Sequence, residues 1–172
     1  MFHYMMLFNR QGKVRLSKWF TETAAKQRKR ITTEVVSSVL ARAPRQCNFI
    51  EWRDKKIVYK RYASLYFVLV ADVEANELLS LEVIHLYVEA LDKYFGNVCE
   101  LDLIFHGYKA NYILDEVLLG GFLQDNSHKS IAKAMAQQDA LAQWVIENPG
   151  DPLPDVAAPI AASPVASPQF RG

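Results

Sequence analysis

Residues 77–95 read ELLSLEVIHLYVEALDKYF. Apolar side chains recur every three or four positions along this stretch, which predicts one long helix that Gly96 ends. At 100° per residue the apolar positions cover about 200°, whereas a helix that lies on a sheet needs an arc of roughly 100°. Two explanations remain open. The surplus apolar surface packs on helices of the same chain, or a partner protein covers part of it.

Three predicted strands precede this helix. They span residues 49–52, 56–62 and 65–70, and the third is continuously apolar, which favours a central place in a sheet. Two more strands, at residues 2–8 and 14–20, are separated by a short polar turn and predict a hairpin. The sequence therefore predicts a five-stranded, mostly antiparallel sheet.

Three further helices are predicted around these elements. Thr21 or Thr23 is expected to cap a helix that runs to about Arg42. The residues expected on its buried stripe are Ile31, Val35, Val36, Val39 and Leu40. A shorter helix begins near Glu100 or Lys109 and runs to Leu119, and an amphipathic helix covers residues 127–146. The resulting prediction is an α+β fold with the order β-β-α-β-β-β-α-α and with helices on both faces of the sheet.

The charges are distributed unevenly along the chain. Residues 1–61 hold 15 Lys and Arg against 4 Asp and Glu, whereas residues 62–172 hold 5 against 15. This asymmetry favours an acidic partner for the N-terminal part, or charge pairing between the two parts. The basic run at 26–30 could touch acidic lipid or nucleic acid, but the solvated face of an amphipathic helix explains it better. Arg15, beside Leu16 on a strand, suits recognition of a carboxylate attached to an apolar group.

The composition predicts a cytosolic globular protein. Apolar residues make up 51% of the chain, and no apolar run reaches the roughly 18 residues of a membrane span. Cys47 and Cys99 lack metal-ligand spacing and are expected to be free thiols. Residues 1–147 are expected to form one domain. Residues 148–172, which are rich in proline, alanine and serine, are expected to form a flexible tail.

No motif for catalysis is found. The sequence has no glycine-rich phosphate loop, no His-Glu-x-x-His and no Gly-x-Ser-x-Gly, and its four histidines are scattered. We therefore expect a protein that is not an enzyme and that holds no cofactor and no metal ion.

Three stretches carry a resemblance to a known family. They read LFNRQGKVRLSKW at 7–19, FIEWRDKKIVYKRYASLYF at 49–67 and VEALDKYFGNVCELDLIF at 88–105. The chain resembles the small (sigma) subunits of the clathrin-associated adaptor complexes, and the match covers residues 1 to about 140. WRD at 52–54 and YASL at 62–65 resemble the corresponding motifs in the small chain of the type-one complex, which belongs to the trans-Golgi network and endosomes.

This resemblance implies a longin-like fold and a place in a heterotetramer. The direct partner is expected to be a large gamma-type adaptin, with a beta-type adaptin and a medium (mu) chain completing the complex. Clathrin and an Arf-family GTPase are expected to act through that complex, which associates peripherally with the trans-Golgi network, endosomes and clathrin-coated vesicles. Nucleic acid is not expected as a partner.

The resemblance also implies a site for acidic dileucine sorting signals in the tails of membrane cargo. A basic patch that includes Arg15 is expected to meet the acidic residue of the signal. The residues expected to line the pockets for the two leucines are Ala63, Leu65, Val88, Asn97, Val98 and Leu103. Lys55, His106-Gly107 and Asn111 depart from the family pattern.

Three alternatives to this function remain. The first is a small subunit with a purely structural role, and the second is the sigma chain of the plasma-membrane endocytic adaptor. A longin-type regulator of membrane fusion is the third, and it would need a coiled coil and a membrane anchor that the proline-rich tail does not supply.

Overall fold

The sheet consists of five antiparallel strands. A computed structural model of the chain describes residues 1–43, 45–124 and 127–154. The strands are β1 (Phe2–Asn9), β2 (Val14–Trp19), β3 (Phe49–Trp52), β4 (Lys55–Tyr62) and β5 (Leu65–Asp72), in the order β2-β1-β5-β4-β3. The continuously apolar β5 lies at the centre, as its sequence predicts. The α+β class is confirmed.

Four helices and a short hairpin complete the described part. The helices are α1 (Ala25–Leu40), α2 (Glu77–Phe95), α3 (Glu100–Val117) and α4 (His128–Glu147). The hairpin pairs β6 (Leu118–Leu119) with β7 (Phe122–Leu123). All four helices were predicted, but the order β-β-α-β-β-β-α-α leaves out one of the three that follow the sheet, and the hairpin was not predicted. Gly120 and Gly121 form the turn of that hairpin, where the sequence suggested only the end of a helix.

Helix α1 covers one face of the sheet. Val35 and Val39 are buried in a core with strand residues that share that face: Tyr4, Met6, Phe8, Ile57, Tyr59, Val68 and Val70. Ile31 and Val36 pack at its margin, but Leu40 is exposed, so the last position of the predicted stripe is wrong. The predicted threonine cap is also wrong, because Ala24 occupies the N-cap and gives no side-chain hydrogen bond.

Helices α2 and α3 cover the other face. Helix α2 packs on β4 and β5, and α3 packs on β2 and on α2. The ring of Tyr87 meets Phe67 of β5 edge to face, and its hydroxyl donates to the carbonyl of Ala110 at 2.9 Å. Asn76 caps α2 by accepting from two amides of the first turn, and Gly96 ends it with a φ of 68°.

The wide apolar arc of α2 is covered by this packing. Its apolar residues are buried or half-buried apart from Leu78 and Leu79 near its start, which are exposed. The first of the two explanations therefore holds, since the chain itself buries the surplus surface. Helix α2 gives no argument for a partner beyond those two leucines.

The chain divides into two units, residues 1–132 and the residues from 133 onward, and α4 spans the boundary. Ile131 and Met135 of this helix are buried, whereas Val145 is exposed. No helix of the described ranges is long and apolar enough to cross a bilayer. Residues 155–172, which make up most of the predicted tail, lie outside the described residues.

Candidate functional site

A β-bulge in β2 sets the position of Arg15. Leu7 pairs with Leu16 and Phe8 pairs with Val14, so Arg15 is the extra residue between the two pairs. A bulge re-aims the side chain that it carries and is common next to functional sites. The guanidinium of Arg15 is thereby turned toward the start of α3.

Glu100, the first residue of α3, receives that guanidinium. The Nε and Nη2 atoms of Arg15 both lie 2.7 Å from Oε1 of Glu100. The amide of Asn9 donates to the same oxygen at 2.9 Å. The hydrogen bond from Arg15 is the main reason that the pKa of Glu100 is held below its ordinary value. A carboxylate at this place is also favoured by the helix N-terminus.

The other basic residue of β2 is paired in the same way. Lys18 Nζ lies 2.7 Å from a carboxylate oxygen of Asp115 on α3. On β4, two strands away from β1, Lys56 pairs with Glu77 of α2 at 2.5 Å. The basic N-terminal part and the acidic remainder of the chain therefore pair with each other. This is one of the two explanations that the charge asymmetry allows.

Two of the predicted pocket residues belong to the surroundings of Arg15. Leu65 opens β5 directly opposite Asn9 of β1, and Asn9 contacts Glu100. Leu103 lies three residues after Glu100 and thus on the same side of α3. Five elements therefore meet at this end of the sheet, namely the three strands β1, β2 and β5 with the α2–α3 loop and the start of α3.

Ala63 and Val88 lie where the β4–β5 turn meets α2. Ala63 occupies that turn with a φ of 51°, and its side chain is exposed. The hydroxyl of the adjacent Tyr62 lies 3.2 Å from Nδ1 of His85. Val88 follows His85 by one helical turn, so it lies on the same side of α2. The turn with Ala63 is thus held beside the helix that carries Val88.

Asn97 and Val98 form the loop between α2 and α3. Asn97 is exposed and adopts a left-handed conformation with a φ of 71°. The amide of Val98 donates to a carboxylate oxygen of Asp92 at 2.9 Å, and its side chain is half-buried. At the start of α3 the amide of Cys99 donates to the side chain of Asp102 at 2.8 Å. These hydrogen bonds hold the loop that joins α2, which carries Val88, to α3, which carries Leu103.

The burial of the pocket residues limits how they can act. Leu65, Val88 and Leu103 are 2%, 4% and 3% exposed, so they offer a ligand almost no surface in this structure. Ala63 and Asn97 are exposed and Val98 is half-buried, so these three are more accessible. This end of the sheet therefore carries an arginine that Glu100 holds in place, with Leu65 and Leu103 buried nearby.

Sequence reasoning missed Glu100 and Asn9. Neither residue was named as a partner of Arg15, although both contact it or its ion-pair partner in the structure. The charge asymmetry was the signal that could have found the pairing, although it does not say which residues meet.

A second feature is an apolar stripe on α3. It consists of five exposed residues on either side of His106, where the backbone of α3 is not helical: Leu101, Ile104, Phe105, Tyr108 and Tyr112. The most exposed of them, Phe105, keeps 70% of its accessible surface. Exposed apolar residues that form one patch mark a site for another protein. Leu119 and Phe122 of the β6–β7 hairpin, which follows α3 directly, are exposed as well.

The described residues give no sign of a metal centre. None of their His, Cys, Asp and Glu side chains form a group of three that could hold an ion. Cys47 and Cys99 are free and exposed.

The five-stranded sheet with helices on both faces defines the class, a small α+β domain. The sequence matches the clathrin adaptor complex small chain family over residues 1–142, and the chain belongs to this family.

Curated relatives support this assignment. AP-1 complex subunit sigma-1A of Homo sapiens is 57% identical over 143 residues, which are 83% of this chain and 90% of the relative. AP-1 complex subunit sigma-2 of Dictyostelium discoideum is 54% identical over 83% of this chain and 92% of its own length. A chain in a homology model of the full-length AP-3 complex in a stretched open conformation matches with a TM-score of 0.68 and 27% identity, covering 86% of this chain and 98% of that one.

Proposed function

We propose that this chain is the sigma subunit of an AP-1-type adaptor complex and that it helps the complex bind acidic dileucine signals in cargo tails. The AP-1 relatives support the type of complex, and with it transport between the trans-Golgi network and endosomes by a subunit without catalytic activity. The observation that carries the cargo role is Arg15, which a bulge places at the end of the sheet where Leu65 and Leu103 also lie.

The stripe on α3 is proposed to contact the large gamma-type adaptin. Burying a large apolar side chain contributes about 1.5–3 kcal/mol, so five of them support a stable contact. The beta-type adaptin and the mu chain then complete the heterotetramer. Clathrin, an Arf-family GTPase and the membrane surface are reached through that complex.

The site fits a weak signal. Two leucine side chains and one charge-assisted hydrogen bond, less the cost of ordering a flexible tail, give a Kd on the order of micromolar. Such binding is weak for one adaptor and strong for a coat that engages many tails together.

The test is peptide binding to the purified heterotetramer. Arg15→Ser should weaken binding of an acidic dileucine peptide about tenfold or more, because a charge-assisted bond contributes more than about 1.4 kcal/mol. Arg30→Ser is the matched control, since Arg30 is exposed on α1 at the opposite face of the sheet. Val98→Asp is a better apolar probe than Val88→Asp, because Val88 is buried and its substitution would disturb the core.

A tyrosine-based signal peptide should bind all of these variants as it binds the natural complex. Unchanged dileucine affinity in both Arg15→Ser and Val98→Asp would contradict the cargo role.

A purely structural subunit is the second candidate. It is favoured by the existing pair of Arg15 with Glu100 and by the burial of Leu65, Val88 and Leu103. It predicts that Arg15→Ser is silent, whereas Phe105→Asp releases the chain from the gamma-type adaptin. Size-exclusion chromatography of the co-expressed complex separates these outcomes.

A further inference from the structure

We propose that Glu100 is a built-in competitor for the acidic residue of the sorting signal and thereby sets how strongly the site selects for negative charge. This inference rests on the proposed function, because it concerns the same guanidinium of Arg15. In the absence of a ligand, Glu100 takes the place of the ligand's carboxylate.

The geometry of the pair supports displacement. Nε and Nη2 form the edge of a guanidinium that binds a carboxylate by two parallel hydrogen bonds, one to each oxygen. Here both nitrogens lie 2.7 Å from a single oxygen, Oε1 of Glu100, and Asn9 donates to that oxygen as well. One oxygen therefore lies within 2.9 Å of three nitrogen atoms, two of which donate hydrogen bonds to it. An incoming carboxylate can offer two oxygens to the same edge, so the exchange replaces a crowded arrangement by a better-matched one.

The environment makes the two carboxylates mutually exclusive. The side chains of Arg15 and Glu100 are only 17% and 25% exposed, so charges between them are screened less than on an open surface. A second carboxylate beside Glu100 would be repelled while Glu100 holds its position. Lys13, an exposed neighbour whose charge already acts on Glu100, offers a partner for that carboxylate once it leaves Arg15.

A simple orienting role makes the opposite prediction. If Glu100 only held Arg15 in a productive direction, its loss would free the guanidinium to move and would weaken binding of the signal. The position of Glu100 at the first turn of α3 lets it be changed without touching the core. The sign of the affinity change therefore decides between the two roles.

The experiment uses the purified heterotetramer with Glu100→Gln, which keeps the size and one acceptor oxygen but removes the charge. Two labelled dileucine peptides are compared by fluorescence anisotropy, one with Glu at the acidic position and one with Gln there. Competition predicts that Glu100→Gln raises the affinity of the acidic peptide about five- to tenfold, the range expected for one partly buried charge pair. The neutral peptide should change by less than about twofold, since it does not need the charge of Arg15.

Glu51→Gln is the matched control, because Glu51 is exposed on β3 at the opposite edge of the sheet. It should leave both affinities unchanged. Unchanged or weakened binding of the acidic peptide to Glu100→Gln would overturn the competition, as would an equal gain for both peptides.

Failure of the proposed function is recognised separately. In that case the natural complex binds neither peptide, or binds them alike, and Arg15→Ser has no effect. Arg15-dependent binding that Glu100→Gln does not strengthen rejects the competition alone and leaves the cargo role in place.

Discussion

The turn between β6 and β7 gives a sharp prediction, because its two glycines have different surroundings. Gly120 and Gly121 have φ angles of 57° and 86°, which is the combination that a tight two-residue hairpin requires. A Cβ added to Gly120 meets nothing within 4 Å. A Cβ added to Gly121 would lie 2.3 Å from the carbonyl oxygen of Phe2 and 3.3 Å from Cβ of Phe20. Gly121 also accepts a hydrogen bond from the amide of Phe2 at 2.8 Å.

These contacts set the expected magnitudes. Gly120→Ala should lower the free energy of unfolding by about 1–2 kcal/mol, the cost of a left-handed conformation for a residue with a Cβ. Gly121→Ala carries the same cost. In addition the Phe2 carbonyl, a main-chain group, must move away, and the 2.8 Å hydrogen bond at the start of β1 is lost for about 1 kcal/mol. With the packing of β1 disturbed, the total loss should reach about 3–4 kcal/mol.

Urea unfolding of the full chain, followed by far-ultraviolet circular dichroism, measures the difference. Gly121→Ala should have the lower midpoint, with about 2 kcal/mol between the two variants at a common slope. Equal destabilisation would refute the reasoning, because it would mean that the close approach to Phe2 contributes nothing beyond the backbone conformation.

Three further outcomes are expected from the same assay. Tyr87→Phe removes a buried hydroxyl that donates to a main-chain carbonyl, so it should lower the free energy of unfolding by about 1–2 kcal/mol. Tyr4→Phe removes a buried hydroxyl that has no partner among the described residues, so it should leave the free energy of unfolding unchanged or raise it. Asn76→Ala removes the cap of α2 and should lower the free energy of unfolding by about 1 kcal/mol. Glycine is tolerated at an N-cap, so an equal loss for Asn76→Gly would contradict the capping role. The hydrogen bond from Lys56 holds the pKa of Glu77 below its ordinary value of 4.5. The ionised Glu77 therefore stabilises the fold at neutral pH, and this stabilisation is lost as the pH falls through the lowered pKa. Glu77→Gln should therefore flatten the acid limb of the stability–pH curve, and urea midpoints between about pH 6 and pH 2 check this.

Local patterns in the sequence predicted most of the fold. The five strands and α2 are long segments with a clear period, and each lies within a few residues of its predicted place. The β6–β7 hairpin was missed because its strands have two residues each, too short for any period. The predicted cap of α1 was wrong because the helix begins after Ala24. The hydroxyls of Thr21 and Thr23 donate instead to the main-chain carbonyls of His3 and Thr21.

The site could be predicted only in part, because its contacts join distant residues. Arg15 stood out by its neighbours, but its pair with Glu100 spans 85 positions of sequence and follows from the bulge in β2. The sequence predicted a surplus of apolar surface on α2, but in the structure α3 packs on that helix and helps to bury the surface. The exposed stripe lies on α3 instead, where apolar residues also occupy the buried side, so the sequence alone does not separate the two faces.

Helix α3 is broken at His106, whose φ of −128° and ψ of 33° are not helical, and Asn111 donates to the carbonyl of Gly107 at 3.2 Å just beyond the break. A continuous helix transmits any tilt or rotation along its hydrogen-bonded turns. The break decouples the first half, with Glu100 and Leu103, from the second half, which is anchored in the core. A change in the direction of one half therefore does not have to be carried into the other half. Helix α3 is in effect two short helices that meet at His106.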